Sequence, residues 1–140
     1  GIELSAGISP TPQWQLQGNL ALTRARYENF VQGGVSRAGN VPQLVPQQVA
    51  NLWASYAITP TVTASAGVRH VGKVYGNASN TKFWPSYTLL DLGLAWKINK
   101  STTLSGRVRN ATDRIYAAET RDQVYLGAPR TLDVTLHTAF

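Results

Sequence analysis

The 140-residue sequence contains no cysteine, which excludes disulfide frameworks and Cys-ligated metal sites. Charged residues are scarce, at 14% of the chain, and no apolar run approaches the ~18 residues of a membrane-spanning helix. No segment shows a convincing helical pattern of apolar residues. Few charges without long apolar runs are typical of strands that face lipid on one side only, although a soluble β-sandwich has a similar composition.

The formal net charge is +6, but the lysines and arginines are dispersed over the whole sequence without a basic run. We therefore expect no nucleic-acid interface. The start, Gly1-Ile-Glu-Leu4, is not Met and lacks the basic and apolar regions of a signal peptide. We expect a mature piece or a fragment of an exported protein.

The strongest positive signal is strict alternation, seen most clearly in the last ten residues. The apolar positions there share one parity: Leu132, Val134, Leu136 and Phe140. The polar positions share the other: Thr131, Asp133, Thr135 and His137. A period of two places the two sets on opposite faces of a strand. Outer-membrane barrels end on such strands, with the apolar face toward lipid and the polar face toward a wet lumen.

Similar alternating runs recur and predict an all-β, antiparallel fold of about seven strands. Short turns at residues 10–12, 59–61 and 99–101 alternate with long polar loops near 30–47, 73–85 and 112–129. This asymmetry favours a barrel with short turns at one rim and long loops at the other. Aromatic residues lie toward the run ends, which we interpret as an interfacial girdle: Trp14, Tyr27, Trp53, Tyr56, Tyr87 and Trp96, with Phe140 at the terminus.

Several phrases, in order, resemble the C-terminal end of TonB-dependent outer-membrane receptors, especially ferric-siderophore receptors. Val108-Arg-Asn-Ala-Thr-Asp-Arg-Ile-Tyr116 is similar to their V-x-N-L-x-D-x-x-Y stretch, with Ala111 where Leu is usual. Gly127-Ala-Pro-Arg-Thr131 is similar to G-x-P-R-T. Further similar phrases lie at 39–46, 50–56, 68–75 and 85–96. Together they cover about the last hundred residues.

The resemblance implies a bacterial outer-membrane barrel of roughly 22 strands whose lumen holds a plug domain. Residues 1–140 would be its C-terminal barrel segment, with no plug domain present. The implied function is import of a ferric siderophore, with no enzymatic activity and no cofactor. The implied partners are the ferric siderophore, the energy-coupling TonB complex through the missing plug, the barrel-assembly machinery and outer-membrane lipid.

Two other classes stay open on the sequence. One is a small structural or adhesive outer-membrane barrel of about eight strands. The other is a soluble β-sandwich or lectin-like binding module. The terminal strand and the one-ended long loops favour either barrel over the sandwich, and the ordered phrases favour the receptor.

No catalytic or metal-binding set stands out, because His70 and His137 are the only histidines and neither lies near an obvious nucleophile. We expect four charged residues to face the lumen as a scaffold: Asp91, Arg107, Arg109 and Asp133. By resemblance, eight loop residues are candidates for ligand binding: Arg37, Tyr75, Lys82, Trp84, Arg114, Tyr116, Arg121 and Tyr125. The resemblance also implies an assembly signal in Leu132, Val134, Leu136 and Phe140. It assigns Asn110, Asp113 and Arg130 to ordering the last loop.

Overall fold

A computed structural model describes residues 1–119 and 124–139. In chain order its strands are β1 (Ile2–Ile8), β2 (Trp14–Leu22), β3 (Val31–Gln32), β4 (Val35–Ser36), β5 (Gln48–Ala57), β6 (Val62–Val71), β7 (Val74–Tyr75), β8 (Phe83–Trp84), β9 (Tyr87–Lys97), β10 (Thr102–Arg109), β11 (Ala117–Glu119), β12 (Tyr125–Leu126) and β13 (Thr131–Thr138). Nowhere in these two ranges is there a helix that could cross a membrane.

Seven long strands form one sheet in the order β1-β2-β5-β6-β9-β10-β13, and every neighbouring pair is antiparallel. The order in space is the order in the chain, so the sheet is a simple meander. The other strands of the described ranges form three two-stranded hairpins, β3–β4, β7–β8 and β11–β12. No second large sheet covers the first in these ranges, which rules out the β-sandwich. Within them, β1 and β13 each pair on one side only, so these strands do not close a small barrel by themselves.

The alternation in sequence becomes two faces of this sheet. On one face, apolar side chains stand opposite each other across the strands, as in the pairs Leu4–Leu20 and Val68–Leu90. This apolar face is exposed: Leu94 is 52% and Val134 67% accessible. A contiguous exposed apolar surface of this kind indicates contact with lipid or another apolar partner. Its counterpart, the polar face, carries the Asn, Gln, Asp and Arg side chains of the same strands.

The two ends of the sheet differ as the sequence predicts. At one end the strands are joined by short turns, and Asn99 closes one of them by accepting the backbone N–H groups of Ser101 and Thr102 at 2.9 and 2.8 Å. At the other end lie the three long loops, which contain the small hairpins β3–β4, β7–β8 and β11–β12. The prediction of short turns at one end and long loops at the other is confirmed.

The interfacial girdle is only partly correct. Trp14 and Tyr56 pack against each other at the turn end of the apolar face, with their ring centroids 4.7 Å apart, as a girdle requires. Trp53, in contrast, lies in the middle of β5 on the polar face, where its register partner is Gly67. Tyr87 also points to the polar face and stacks on Tyr116 at 4.5 Å. The girdle interpretation is wrong for these two residues, because parity, rather than nearness to a run end, decides the face.

Candidate functional site on the polar face and long loops

The polar face of the sheet is concave. An open groove of about 800 Å³ runs along it and is lined by residues of six strands, β1, β2, β5, β6, β9 and β10. Its lining includes Ser5, Gln17, Asn51, Arg69, Asp91 and Arg107. Within it Asn51 donates from Nδ2 to the Oδ1 atom of Asn19 on the neighbouring strand at 2.7 Å. The groove therefore presents hydrogen-bonding and charged side chains, beside apolar ones, directly behind the apolar face.

At the centre of the groove, the absence of a side chain at Gly67 leaves room for the Trp53 ring. Gly67 lies beneath the ring of Trp53, and a Cβ atom at position 67 would overlap that ring. The guanidinium carbon of Arg107 lies 5.0 Å from the centroid of the same ring. This distance is within the range of a cation–π interaction. Gly67 thus allows the Trp53 ring to lie over the sheet, with the Arg107 cation of β10, three strands away from β5, above that ring.

The four predicted scaffold charges form two ion pairs across β9, β10 and β13. Arg107 Nη2 lies 3.0 Å from Asp91 Oδ2, and Arg109 Nε lies 2.8 Å from Asp133 Oδ2. In both pairs the arginine reaches diagonally, two residues along the neighbouring strand from its register partner. Asp91 Oδ1 additionally accepts the backbone N–H of Asn110 at 3.0 Å, which ties the wall to the last long loop.

Asn110 organises the start of that loop from a buried position, with 4% of its surface accessible. Its φ of 48° is in the left-handed region that Asn adopts more readily than most residues. Its Nδ2 donates to the carbonyls of Arg114 and Ala128 at 2.9 and 3.1 Å, and its Oδ1 accepts the N–H of Arg114 at 2.8 Å. The side chain therefore bonds both ends of the loop, the ordering role expected from the sequence.

Asp113 and Tyr116, near the start of the same loop, contact residues at its other end. Asp113 Oδ1 accepts the backbone N–H of Arg130 at 2.8 Å. The ring of Tyr116 packs against Gly127 so closely that a Cβ atom there would overlap it. These contacts give a structural reason for the Asn, Asp and Tyr of the stretch Val108–Tyr116 and for the Gly of the stretch Gly127–Thr131.

The ligand-binding candidates fall into two groups. Arg37, Tyr75, Lys82 and Trp84 lie on the first two long loops, which contact each other through a hydrogen bond from Leu44 N–H to the carbonyl of Tyr75 at 2.9 Å. Arg114, Tyr116 and Tyr125 lie on the third loop, where Tyr116 is engaged by Tyr87 and Gly127. Arg121 lies outside the described residues, as does Phe140 of the predicted assembly signal.

One cation in this region was not among the sequence candidates. Lys73 Nζ donates to the hydroxyl of Tyr75 at 3.1 Å and lies 4.7 and 5.4 Å from the ring centroids of Tyr75 and Phe83. The sequence did contain a signal for this contact, because residues two apart in an extended segment point to the same side, as Lys73 and Tyr75 do. Arg37 Nε and Trp84 Nε1 are buried N–H groups with no acceptor in the described part of the chain. The first two loops thus combine cations, aromatic rings and unpaired donors.

The structure brings the two histidines to different faces. His70 is at the loop end of the apolar face, where its Nδ1 lies 2.9 Å from Thr88 Oγ1. His137 pairs in register with Thr103 on the polar face. Among residues 1–119 and 124–139, no three His, Asp or Glu side chains gather as a metal site requires.

A meandering antiparallel sheet with an apolar exposed face, a polar concave face, short turns at one end and long loops at the other is the wall of a transmembrane β-barrel. A family model described as "TonB dependent receptor-like, beta-barrel" matches residues 1–111. The chain belongs to this family of TonB-dependent receptor barrels.

Relatives and solved structures agree with this assignment. The chain is 38% identical over 78 residues to the probable TonB-dependent siderophore receptor PiuA of Acinetobacter baumannii, covering 56% of the chain and 10% of the relative. It is 29% identical over 144 residues to the ferrioxamine receptor of Yersinia enterocolitica, covering 97% of the chain and 20% of the relative. The crystal structure of PiuA superposes with a TM-score of 0.86 at 25% identity, covering 97% of the chain and 21% of that structure. The chain spans about a fifth or less of the length of these proteins.

Proposed function

We propose that the chain is part of the barrel wall of an outer-membrane, TonB-dependent receptor that imports a ferric siderophore. The observation that best supports this proposal is that siderophore receptors match 97% of the chain both in sequence and in structure. In this proposal the apolar face contacts outer-membrane lipid and the polar groove faces the lumen. The role of the protein is transport rather than catalysis.

The charges and rings of the long loops support recognition of a ferric chelate. Ferric siderophores present hard oxygen donors around iron and are often anionic, so basic and aromatic side chains suit them. Lys73, Tyr75 and Phe83 form such a cluster on the second loop. In the proposed receptor, the ion-paired wall of Asp91, Arg107, Arg109 and Asp133 is scaffold below the loops, and the ligand contacts the loops.

Further partners follow from the same proposal. Energy coupling would come from the TonB complex through a plug domain held in the lumen. The barrel-assembly machinery would read the terminal strand through Leu132, Val134, Leu136 and Phe140. The exposed apolar side chains of the first three are consistent with that role, since each is more than 60% accessible.

The test is iron uptake by the full-length receptor that contains this chain, expressed in a bacterial host without other siderophore receptors. Cells would receive radioactive iron as a ferric hydroxamate or as a ferric catecholate. We expect uptake of at least one chelate, and loss of that uptake in an otherwise identical host without TonB. Failure to take up either chelate, or uptake that persists without TonB, would contradict the proposal.

A further inference from the structure

The first two long loops are joined by a compact set of hydrogen bonds, which we call the loop latch: Asn40, Val41, Ala78 and Asn80. Asn80 Oδ1 accepts the backbone N–H of Val41 at 2.8 Å, and Asn80 Nδ2 donates to the carbonyl of Val41 at 2.8 Å. Asn40 Nδ2 donates in return to the carbonyl of Ala78 at 2.8 Å. One amide side chain thus satisfies both backbone groups of a residue 39 positions away.

The apolar residues of the latch are buried although they lie within loops. Val41 and Ala78 are each 3% accessible, which makes them the most buried apolar residues that the structure describes. Asn80 has a φ of 57°, in the left-handed region, and this conformation presents its amide to Val41. Partly buried, reciprocal hydrogen bonds of this kind favour one arrangement, because separating the loops would leave several polar groups without their protein partners.

The latch also fixes the position of the residues around it. The neighbouring bond from Leu44 N–H to the carbonyl of Tyr75 joins the two loops again at the β7–β8 hairpin. Asn77 keeps the second loop closed by accepting the backbone N–H groups of Thr81 and Lys82 at 3.1 and 3.2 Å. The loops that carry the β3–β4 and β7–β8 hairpins are therefore joined at two places, the latch and the Leu44–Tyr75 bond.

We infer that Asn80 is a positioning residue that makes the first two long loops a single rigid body presented to the ligand. The ligand part of this inference rests on the proposed function, whereas the mechanical part does not. A preformed surface needs no ordering of two separate loops when the ligand binds, so it binds more tightly than two independent loops. Loss of the latch should weaken binding while the barrel wall stays intact.

The test variant is Asn80→Gly, since glycine keeps the left-handed backbone but removes the side-chain hydrogen bonds. The matched control is Asn99→Gly, which removes the side-chain hydrogen bonds of a turn at the opposite end of the sheet. Both are made in the full-length receptor. We expect amide exchange in peptides containing Val41 and Leu44 to be roughly tenfold faster in Asn80→Gly alone, as for the loss of two hydrogen bonds.

Loop coupling is measured separately by spin labels at Ser36→Cys and Thr81→Cys, two exposed positions on the joined loops in a segment free of other cysteines. The distance distribution should be narrow in the parent and in Asn99→Gly, and broad in Asn80→Gly. Binding of the ferric hydroxamate and ferric catecholate probes should weaken by roughly tenfold in Asn80→Gly only.

Unchanged exchange and an unchanged distance distribution in Asn80→Gly would overturn the latch. Faster exchange with undiminished binding would overturn its positioning role. If the parent receptor bound neither chelate, the proposed function would fail, and the exchange and distance results would still decide whether Asn80 joins the two loops.

Discussion

The stack of Trp53 on Gly67 predicts a specific sensitivity of the wall to one added methyl group. In Gly67→Ala the new Cβ overlaps the Trp53 ring, so the ring has to move away from the sheet. Overpacking of this kind costs about 1–3 kcal/mol. A displaced ring also loses its contact with the Arg107 guanidinium, which contributes about 0.5–1 kcal/mol at an exposed site. We expect Gly67→Ala to lower the free energy of unfolding by about 1.5–4 kcal/mol.

The control is Gly106→Ala in β10, on the apolar face of the same sheet, where an added Cβ meets no atom within 4 Å. Urea-induced unfolding of the detergent-solubilised receptor, followed by the mobility shift between folded and unfolded barrel, would compare the two variants. A second substitution, Trp53→Leu, should relieve most of the loss in Gly67→Ala, because the overlapping ring is gone. Equal unfolding midpoints for Gly67→Ala and Gly106→Ala would refute the reasoning.

Three further outcomes are expected. Asp91→Ala should lower the free energy of unfolding by about 2–3 kcal/mol, because the variant loses the charge-assisted bond to Arg107 and leaves the Asn110 N–H unpaired. Asp133→Ala should lower it by less than about 1 kcal/mol in the same urea titration, because the Arg109–Asp133 ion pair is half exposed. Asn110→Gly keeps the backbone conformation but frees the last loop, which should become the first segment cut by added protease; cleavage at the parent rate would contradict this. Phe140→Ala should reduce the amount of receptor in the outer membrane while the inserted fraction keeps its heat stability, since one side chain contributes about 1–3 kcal/mol; parental yield would argue against an assembly role.

Alternation in the sequence was sufficient to predict the seven strands of the sheet and the asymmetry of its ends. Period two needs only five or six residues to become visible, and each long strand provides them. The hairpins β3–β4, β7–β8 and β11–β12 were not predicted, because strands of two or three residues have no measurable period. They lie within segments that the sequence correctly assigned to loops.

Contacts between residues that are distant in the chain depend on strand register and backbone conformation, which the sequence does not reveal. The charges of Asp91 and Arg107 could be placed on one face, but the diagonal geometry of their ion pair required the strand alignment. Asn80 gave no signal of its role, since its partner Val41 is 39 residues away and its positive φ is not visible in the sequence. The Trp53 stack was missed because it depends on the absence of a side chain at Gly67 on the adjacent strand.

The meander order has a consequence for cutting and rejoining the protein. Because spatial order equals chain order, a break in the turn at residues 58–61 would leave every other strand pair of the described sheet within one piece or the other. The two pieces would still share the β5–β6 ladder along its whole length and the Asn80–Val41 bonds at its far end. The protein should therefore tolerate a nick at that turn and assemble from two separately produced segments, with the loop latch helping to hold them together.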